Sequence, residues 1–229
     1  MSYVPPLDDA GSKPRPRLSR HLDPVEIRIL GSLAEKQLAT PEYYPLTLNA
    51  LLAACNQKSN REPVMELAES EVERALDRLQ DEKLVWRVMG GRAVRFDHNL
   101  DALWHISRKE KALLTLLFLR GAQTAGEMRG RSDRLHTFDS VSDVEDTLRD
   151  LASQHEPLVR QLPRRPGQKE ERWVHTAGGA VVDASPVFSD ESTPQRASAE
   201  PLSARVQRLE EAVAALTEEL RSLKAKLGE

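Results

Sequence analysis

Apolar residues recur every three to four positions in three segments of the first hundred residues, which is the spacing of a buried helix face. The first helix is predicted to begin after Asp23, an N-cap that is followed by Pro24 at the first helical position and by Glu26 as the capping-box acid. A second helix is predicted to begin near Thr47 and a third at Ser70. The three apolar stripes are Ile27, Leu30 and Ala34; Leu48, Leu51, Leu52 and Cys55; and Val72, Ala75, Leu76 and Leu79.

The period then changes from 3.6 to 2 in "LVWRVMGGRAVRF" (84–96), which predicts a β-hairpin around two glycines. A three-residue loop from Gly90 to Arg92 would separate an apolar face from a basic face. A two-residue Gly-Gly loop would instead place Trp86 opposite Arg95 and mix the faces. Because a slip in register moves side chains to the wrong face, we predict the three-residue loop. The apolar face would hold Trp86, Val88, Val94 and Phe96, and the basic face Arg87 and Arg95.

The same order of elements is predicted a second time. Residues 108–120 form an apolar-striped helix, "TAGE" (124–127) is a capping box that opens a short helix, and "LVRQL" and "RWVH" flank "PRRPGQKEE" as a second hairpin. Between them, "SDVEDTLRDL" (142–151) matches "SEVERALDRL" (70–79) as S-acid-V-E-x-x-L-x-x-L, which indicates an internal repeat. The alternative is that two generic amphipathic helices, each after a serine cap, resemble one another in part.

Three helices followed by a hairpin are the element order of a winged helix-turn-helix domain. The sequence therefore predicts a mainly α protein with small β-hairpins (α+β), built from two tandem winged helix-turn-helix domains plus a C-terminal coiled-coil helix. The two domains are assigned to residues 20–100 and 101–177. Residues 1–19, rich in proline, aspartate and basic residues, are predicted to be a disordered arm. Residues 178–201 are small, polar and proline-containing, and are predicted to be a flexible linker.

A heptad pattern occupies residues 202–228, where apolar residues alternate steps of four and three. A short amphipathic helix lying on its own domain is the alternative, but the linker and the strict period favour a coiled coil. In a parallel dimer Arg205 would meet Glu210 of the partner subunit, whereas a centred antiparallel pairing would place Arg205 beside Lys226. We therefore expect a parallel homodimer held by Leu202, Val206, Leu209, Val213, Leu216, Leu220, Leu223 and Leu227.

Composition limits the range of functions. The formal charge of the 229 residues is −3, so any binding of nucleic acid would depend on local basic patches. The single cysteine, Cys55, excludes an intramolecular disulfide and fits a reducing compartment. The N-terminus has no apolar signal region, and no segment approaches the ~20 apolar residues of a membrane span. We therefore expect a cytoplasmic protein with no membrane partner.

No enzyme motif is present in the sequence. The six histidines show neither an H-E-x-x-H motif nor paired ligand spacing, and neither G-x-S-x-G nor a P-loop occurs. Cys55 lies on the apolar stripe of its helix, which favours a buried small hydrophobe over a nucleophile. We therefore predict a protein that is not an enzyme, with no catalytic residue, no metal site and no cofactor.

From "LDPVEIRILGSLAEKQLATPEYYPLTLNALLAACNQKSNREPV" onward, the chain resembles the YceH-like family of uncharacterised bacterial proteins. The resemblance covers about residues 18–176, and its most specific part is "TPEYYPLTLNALLAACNQKSNREPV". In the second half, "LLTLLFLRG", "GEMRGRSDRLHTF" and "LPRRPGQKEERW" are also similar to the family. The resemblance implies two winged-helix modules, and it implies no catalytic or ligand residues because the family carries no established activity.

Winged helices usually place the third helix in the major groove of DNA and the wing on the adjacent backbone. Both predicted third helices are poorly suited to this because they are acidic. The helix from 70 to 83 carries five acidic against three basic residues, and the helix from 142 to 153 carries four acidic against one basic. Acidic side chains repel phosphates and release no counterions on binding.

Candidate contacts to double-stranded DNA therefore lie in the wings and in the turns between helices. Amides there could read base edges, and basic side chains could hold phosphates. The alternative for residues 56–61 is that their side chains cap helix ends and tie the loop to the domain, with Arg61 pairing Glu62 or Glu66. The candidates are Asn56, Gln57, Lys58, Asn60, Arg61, Arg87, Arg92, Arg95, Arg129, Arg131, Arg134, Arg164, Arg165 and Lys169.

Two functional hypotheses follow from the sequence. The first is a dimeric DNA-binding protein, a transcriptional regulator that contacts phosphates through wings and turns. The second is a protein-interaction scaffold without DNA binding, like the tandem winged helices that grip a partner chain in bacterial chromosome-condensing complexes. The basic wings and the usual role of the fold favour the first, whereas the net charge and the acidic third helices favour the second.

Overall fold

Two successive groups of helices each lead into a small antiparallel sheet. The computed structural model describes residues 18–90, 93–164 and 170–179. The first group comprises α1 (Pro24–Ala39), a 3₁₀ turn (Pro41–Tyr43), β1 (Leu46–Thr47), α2 (Leu48–Cys55), α3 (Glu69–Asp81), β2 (Val85–Gly90) and β3 (Ala93–His98). The second group comprises α4 (Leu100–Trp104), α5 (Arg108–Arg120), α6 (Ala125–Arg131), α7 (Val141–Ser153), β4 (Val159–Leu162) and β5 (Arg172–His175). The mixture of helices and small sheets agrees with the predicted fold class.

The predicted starts of α1, α2 and α6 are confirmed, as are the predicted caps of α1 and α6. The Asp23 carboxylate accepts hydrogen bonds from the backbone N–H groups of Val25 and Glu26, and Glu26 in turn accepts one from Asp23 N–H. The Thr47 hydroxyl accepts from Ala50 N–H, and Thr124 forms a reciprocal box with a glutamate three residues later. These contacts satisfy N–H groups that the first helical turn leaves without a partner.

The start of α3 differs from the prediction. The helix begins at Glu69, and Glu71 accepts a hydrogen bond from Ala68 N–H at 2.8 Å, so Ser70 occupies the second helical position. Ser142 also occupies the second position of α7, after the cap at Ser140. The two serines are therefore equivalent although neither is a cap. The buried residues are equivalent as well, being Val72, Ala75, Leu76 and Leu79 in α3, and Val144, Thr147, Leu148 and Leu151 in α7.

The predicted register of the first hairpin is wrong. Strands β2 and β3 pair Arg87 with Phe96 and Gly90 with Ala93, so two residues rather than three separate the last pair. Trp86 consequently lies opposite Asp97, on the face away from Phe96.

A third strand explains this register. The short strand β1 pairs with β3, and its Leu46 lies opposite Phe96. Both side chains are buried in the core, which fixes the inward face of β3. The hairpin pattern alone contains no information about this third strand, and Trp86 is left on the outer face.

The second sheet repeats this arrangement. Strands β4 and β5 form the predicted hairpin, with Val159 opposite His175 and Leu162 opposite Arg172. Just before α6, Gln123 exchanges two backbone hydrogen bonds with Trp173 at 3.0 and 2.7 Å. This bridge occupies the same place before α6 that β1 occupies before α2, so the repeat includes a short pairing segment that its sequence does not reveal.

Helices α1 and α5, the first long helices of the two groups, pack directly against each other. A Cβ atom built on Gly31 of α1 would lie 3.0 Å from the Cβ of Phe118 and 2.9 Å from Leu119 Cδ2. Glycine therefore permits a closer approach of the two helices than any larger residue would. Leu30 and Leu33 of α1 and Leu113 and Leu117 of α5 are all fully buried, so the two groups share one core.

Three predicted segments lie outside the described residues. They are most of the arm at 1–19, the linker beyond residue 179 and the heptad segment at 202–228. The eight predicted coiled-coil residues belong to the last of these, and the homodimer stays a prediction.

Candidate functional site

The loop between α2 and α3, which carries five of the candidate contacts, is held by two buried arginines. Arg28 of α1 donates hydrogen bonds to the carbonyl oxygens of Cys55 and Pro63 at 3.1 and 2.5 Å. Burial, followed by the nearby Arg61 guanidinium, lowers the pKa of Arg28. Two cations converge here because the loop offers backbone carbonyl groups that need donors.

Arg61 is the second of these arginines, and its side chain is fully enclosed (0% exposed). Its guanidinium donates to both carboxylate oxygens of Glu35, to the carbonyl oxygen of Ala54 and to Gln57 Oε1. The expected alternative partners, Glu62 and Glu66, are not the ones it uses. Because the guanidinium is engaged and enclosed, it is inaccessible to a phosphate in this conformation, and its role is to hold the loop.

The amides of the loop have similar structural roles. Asn56 exchanges two hydrogen bonds with the backbone of Leu67 at 2.8 and 2.9 Å, which closes the loop. Asn60 has a positive φ of 58°, and its side-chain oxygen accepts a hydrogen bond from Arg120 of α5. Lys58 alone among the predicted basic contacts of this loop is exposed, and no ion pair joins it to the described residues. The alternative that these side chains tie the loop to the domain therefore describes most of them.

A cleft of about 490 Å³ brings this loop against the second group of helices. One wall is formed by the end of α1 and by Gln57, Ser59 and Asn60 of the loop. Arg131 and Arg134, which belong to a separate candidate segment of the sequence, also line the cleft. The floor is apolar and consists of Ala39, Leu116, Leu119 and Leu135. Two segments chosen independently from the sequence thus line the same cleft.

Positive charge predominates in this cleft. Four basic side chains line it, namely Lys36, Arg120, Arg131 and Arg134, together with two acidic ones, Glu35 and Asp133. Both acids are already engaged, Glu35 by Arg61 at 2.6 Å and Asp133 by Arg129 at 3.7 Å. Burial, followed by the charge of Arg131, lowers the pKa of Arg120. Lys36 also lies 3.7 Å from Glu35, and Arg131 pairs with Glu127 at 3.2 Å, so Arg120 and Arg134 are the lining cations that make no ion pair with the described residues.

Arg131 is fixed in position by neighbours of its own helix group. It donates to Gln123 Oε1 at 2.7 Å and to Glu127 at 3.2 Å. Arg134, by contrast, is exposed at the rim of the cleft and makes no ion pair with the described residues. One arginine is thus oriented in advance and the other is free to move onto a ligand.

The basic residues of the first hairpin are largely occupied. Arg87 forms an exposed ion pair with Asp77 of α3 at 2.6 Å, and half-buried Arg95 donates to the carbonyl oxygen of Pro45 at 2.7 Å. Arg92 lies outside the described residues. What this hairpin does expose is apolar surface, formed by Trp86 (46% exposed), Val88 (39%), Met89 (75%) and Val94 (43%).

The second hairpin is more basic and more open. Arg164 is 62% exposed and lies 3.5 Å from Glu171, which is a weak restraint at that exposure. Arg160 on β4 is also exposed. Arg165 and Lys169 lie outside the described residues.

The outward faces of α3 and α7 are acidic, as the sequence indicates. Arg78 of α3 donates to Glu26 and Asp23 of α1, so it is engaged within the fold. Arg149, which is the only basic residue of α7, is paired with Glu145 and Asp146 at 2.7 and 2.5 Å. On α3 only Arg74 remains exposed without an ion pair to the described residues. Neither helix presents a basic surface.

The buried titratable groups are held in their neutral or paired forms. Cys55 is fully buried, as predicted, and burial raises the pKa of its thiol to about 11, so it is a poor nucleophile. Burial, followed by the charge of Lys111, lowers the pKa of His98 to about 4. Lys111 itself donates hydrogen bonds to Asp101 and to Gln37 Oε1. The same Gln37 oxygen lies 2.9 Å from His98 Nε2 and forms a hydrogen bond with it. This network joins α1, α4 and α5 and is a structural contact between the two groups.

The described ranges contain neither a candidate metal site nor a candidate membrane span. In residues 18–90, 93–164 and 170–179, no group of three or more histidine, cysteine, aspartate or glutamate side chains is arranged to hold a metal ion. No helix in these ranges combines the length and the apolar character that crossing a bilayer requires.

The described residues form a mixed fold of helices and small antiparallel sheets, in which two helix groups meet along their first long helices and line a basic cleft. The chain belongs to the family described as "Protein of unknown function, DUF480", whose model matches residues 22–168. The resemblance to an uncharacterised bacterial family is therefore confirmed.

Relatives extend the similarity along most of the chain. A UPF0502 protein of Opitutus terrae is 48% identical over 188 residues, covering 81% of this chain and 80% of the relative. A UPF0502 protein of Burkholderia orbicola is 45% identical over 220 residues, covering 94% and 93%. One from Acidovorax sp. is 45% identical over 216 residues, covering 92% and 96%. All three alignments are longer than residues 18–176, over which the sequence motifs indicated the resemblance.

Proposed function

We propose that this protein is a non-enzymatic tandem winged-helix protein that grips a protein partner through its first hairpin. The observation that carries this proposal is the exposure of four large apolar side chains, Trp86, Val88, Met89 and Val94, on that hairpin. Trp86 and Val88 lie on one face, and Met89 and Val94 lie on the other. Each face thus exposes two large apolar side chains, which supports an interaction site because exposed apolar patches, tryptophan and methionine are typical of protein interfaces.

The position of β2 supports a partner that binds as an extended segment. The strand order of the first sheet is β1, β3, β2, so β2 is an edge of the described sheet. An extended apolar segment can add to such an edge through backbone hydrogen bonds, while pockets beside it select alternate side chains. The acidic outward face of α3, which lies beside the hairpin through the Arg87–Asp77 pair, disfavours a polyanionic partner at this surface.

The experiment that tests this proposal is an affinity capture from a lysate of the source bacterium. The variant Trp86→Ser/Met89→Ser removes the most exposed apolar surface on each face and leaves the core intact. Tyr43→Ser is the matched control, because Tyr43 is 70% exposed but lies in the 3₁₀ turn rather than on the hairpin. We expect the wild type and the Tyr43 variant to retain one protein in stoichiometric amount, and the hairpin variant to lose it. Equal retention by all three would refute the proposal.

A second candidate function is favoured by the second hairpin. Exposed Arg160 and Arg164, together with exposed Lys58 and Arg134, support contacts to the phosphates of double-stranded DNA through a wing and two turns. In that case the protein would be a DNA-binding regulator whose third helices stay out of the groove. Its affinity for a duplex would fall steeply as salt rises from about 50 to about 200 mM, because phosphate contacts release counterions.

Paired charge reversals distinguish contacts made by the wing from general electrostatics. Arg160→Glu/Arg164→Glu changes the second hairpin, and Arg74→Glu/Arg149→Glu makes the same change of charge on α3 and α7. A wing contact predicts that the first pair weakens duplex binding by at least tenfold and the second pair has a small effect. A labelled duplex that shows no shift at low salt would eliminate this candidate, and equal losses would show that net charge alone governs binding.

A further inference from the structure

The basic cleft between the two helix groups has the dimensions of a small-molecule site. Its volume of about 490 Å³ falls within the ~300–1,000 Å³ range of ligand pockets. Most of its lining side chains are polar, and its apolar floor consists of four side chains, so the cleft suits a ligand with both a polar and an apolar part.

The charges of the cleft point to an anion. Four basic side chains line the cleft against two acidic ones. Lys36 pairs with Glu35 at 3.7 Å and Arg131 with Glu127 at 3.2 Å, which leaves Arg120 and Arg134 without an ion pair to the described residues. Burial, followed by the charge of Arg131, lowers the pKa of Arg120, and a bound anion beside these two side chains would offset that repulsion. In a chain whose formal charge is −3, this local concentration of cations is not a consequence of composition.

We propose that this cleft binds a small organic phosphate, with the phosphate on the arginines and the organic part over the leucine floor. Arginine presents a planar fork of donors that matches phosphate oxygens, and Arg131 is already oriented by Gln123 and Glu127. Exposed Arg134 closes on the phosphate from the rim. Elsewhere in the lining, Gln57 and Ser59 supply hydrogen-bonding groups for hydroxyls or ring heteroatoms of the organic part.

This site uses neither the apolar hairpin nor the second wing, and it shares Arg134 alone with the DNA contacts proposed above. Its ligand would contact both helix groups at once, through the loop after α2 on one side and the segment after α6 on the other. Binding would therefore stabilise the junction between the groups as well as the residues of the cleft.

The first test uses inorganic phosphate as the probe and the full-length chain as the protein. Thermal unfolding is followed as phosphate replaces chloride at constant ionic strength, and the dissociation constant is taken from the saturation of the shift in Tm. Arg134→Gln removes a cleft cation that makes no ion pair within the described residues, so the variant should fold normally. Arg74→Gln is the matched control, because it removes an exposed arginine from α3, away from the cleft.

We expect a saturable rise in Tm for the wild type and for Arg74→Gln, and about tenfold weaker binding by Arg134→Gln, which corresponds to the loss of one charge-assisted contact. An equal phosphate response in all three proteins, or no response beyond that to chloride, would overturn the proposal.

The second test addresses the organic part of the ligand. A mixture of nucleoside monophosphates and sugar phosphates is compared with inorganic phosphate on the wild type and on Leu116→Ala, which shortens one side chain of the floor. Tighter binding of at least one organic phosphate, reduced toward the value for inorganic phosphate by Leu116→Ala, is expected. If no organic phosphate binds more tightly than phosphate itself, the cleft is a simple anion site and the organic part of the proposal is wrong.

Discussion

Arg61 and Glu35 form a two-point ion pair in which the two terminal nitrogens of the arginine lie 3.1 and 2.6 Å from the two carboxylate oxygens. The pair joins the loop after α2 to α1, and the same guanidinium also holds the carbonyl oxygen of Ala54. Arg61, which the sequence analysis proposed as a phosphate contact, is thus a structural residue that holds the loop against α1.

Removing the Arg61–Glu35 ion pair should destabilise the protein. Arg61→Gln leaves the Glu35 carboxylate without its main partner, and we expect the free energy of unfolding to fall by about 3 kcal/mol. Lys58→Gln, in the same loop but exposed and free of ion pairs to the described residues, should change it by less than about 0.5 kcal/mol. Urea unfolding of the two variants measures both values. If Arg61→Gln lowers the free energy of unfolding no more than Lys58→Gln does, the ion pair contributes little to stability.

Replacing Gly31 or Gly130 by alanine should change the stability of the protein in opposite directions. Gly31→Ala adds a methyl group 3.0 Å from the Cβ of Phe118, and the cost of forcing α1 and α5 apart, about 1–3 kcal/mol, exceeds the gain in helix propensity of about 1 kcal/mol. Gly130 of α6 has open space at the same position, so Gly130→Ala should be neutral or stabilising by up to about 1 kcal/mol. Thermal unfolding of both variants tests the prediction, which fails if Gly31→Ala is as stable as Gly130→Ala.

Stability should decrease as the pH falls from 6.5 toward 4, because two histidines are buried in neutral form. Burial, followed by the charge of Lys111, lowers the pKa of His98 to about 4, and burial lowers that of His175 to about 4. Above pH 6.5 both rings are neutral in the folded and unfolded states. Between pH 6.5 and 4 the unfolded chain binds protons that the folded protein does not, so the free energy of unfolding falls by on the order of 1–2 kcal/mol per histidine at pH 5.

Replacing one of these histidines separates its contribution. His175 packs against Phe118 with ring centroids 5.1 Å apart, and its Nδ1 has no hydrogen-bond partner among the described residues. His175→Leu should therefore reduce the loss of stability between pH 7 and pH 5 by about half. The urea midpoints of the wild type and of His175→Leu are compared at pH 7 and pH 5. If the midpoint falls by the same amount in both proteins, this ring does not cause the pH dependence.

The heptad segment should set the oligomeric state. Leu216→Pro places a helix-breaking residue at a predicted core position near the middle of residues 202–228, at a cost of about 3 kcal/mol or more. We expect light scattering to give the mass of a dimer for the wild type and of a monomer for the variant. Lys224→Pro would interrupt the same helix only near its end and should leave more of the dimer. A wild-type monomer would refute the predicted coil.

Local patterns determined where three helices of the described fold begin. Asp23, Thr47 and Thr124 carry cap and box signals within three or four residues of themselves, and the helices start there. The repeat was also visible, because the buried positions of α3 and α7 share the same spacing. Composition alone was enough to predict that α3 and α7 are acidic. The burial of Cys55 followed from its place on an apolar stripe.

Tertiary structure decided the register of the first hairpin, the partner of Arg61 and the cleft. Each depends on segments distant in the chain, namely β1 against β3, α1 against the loop after α2, and that loop against Arg131 and Arg134. A local pattern records which side chains a segment must bury, because its period equals that of the helix or strand. The pattern does not indicate which distant segment will cover these side chains, because the packing of the whole core determines that segment.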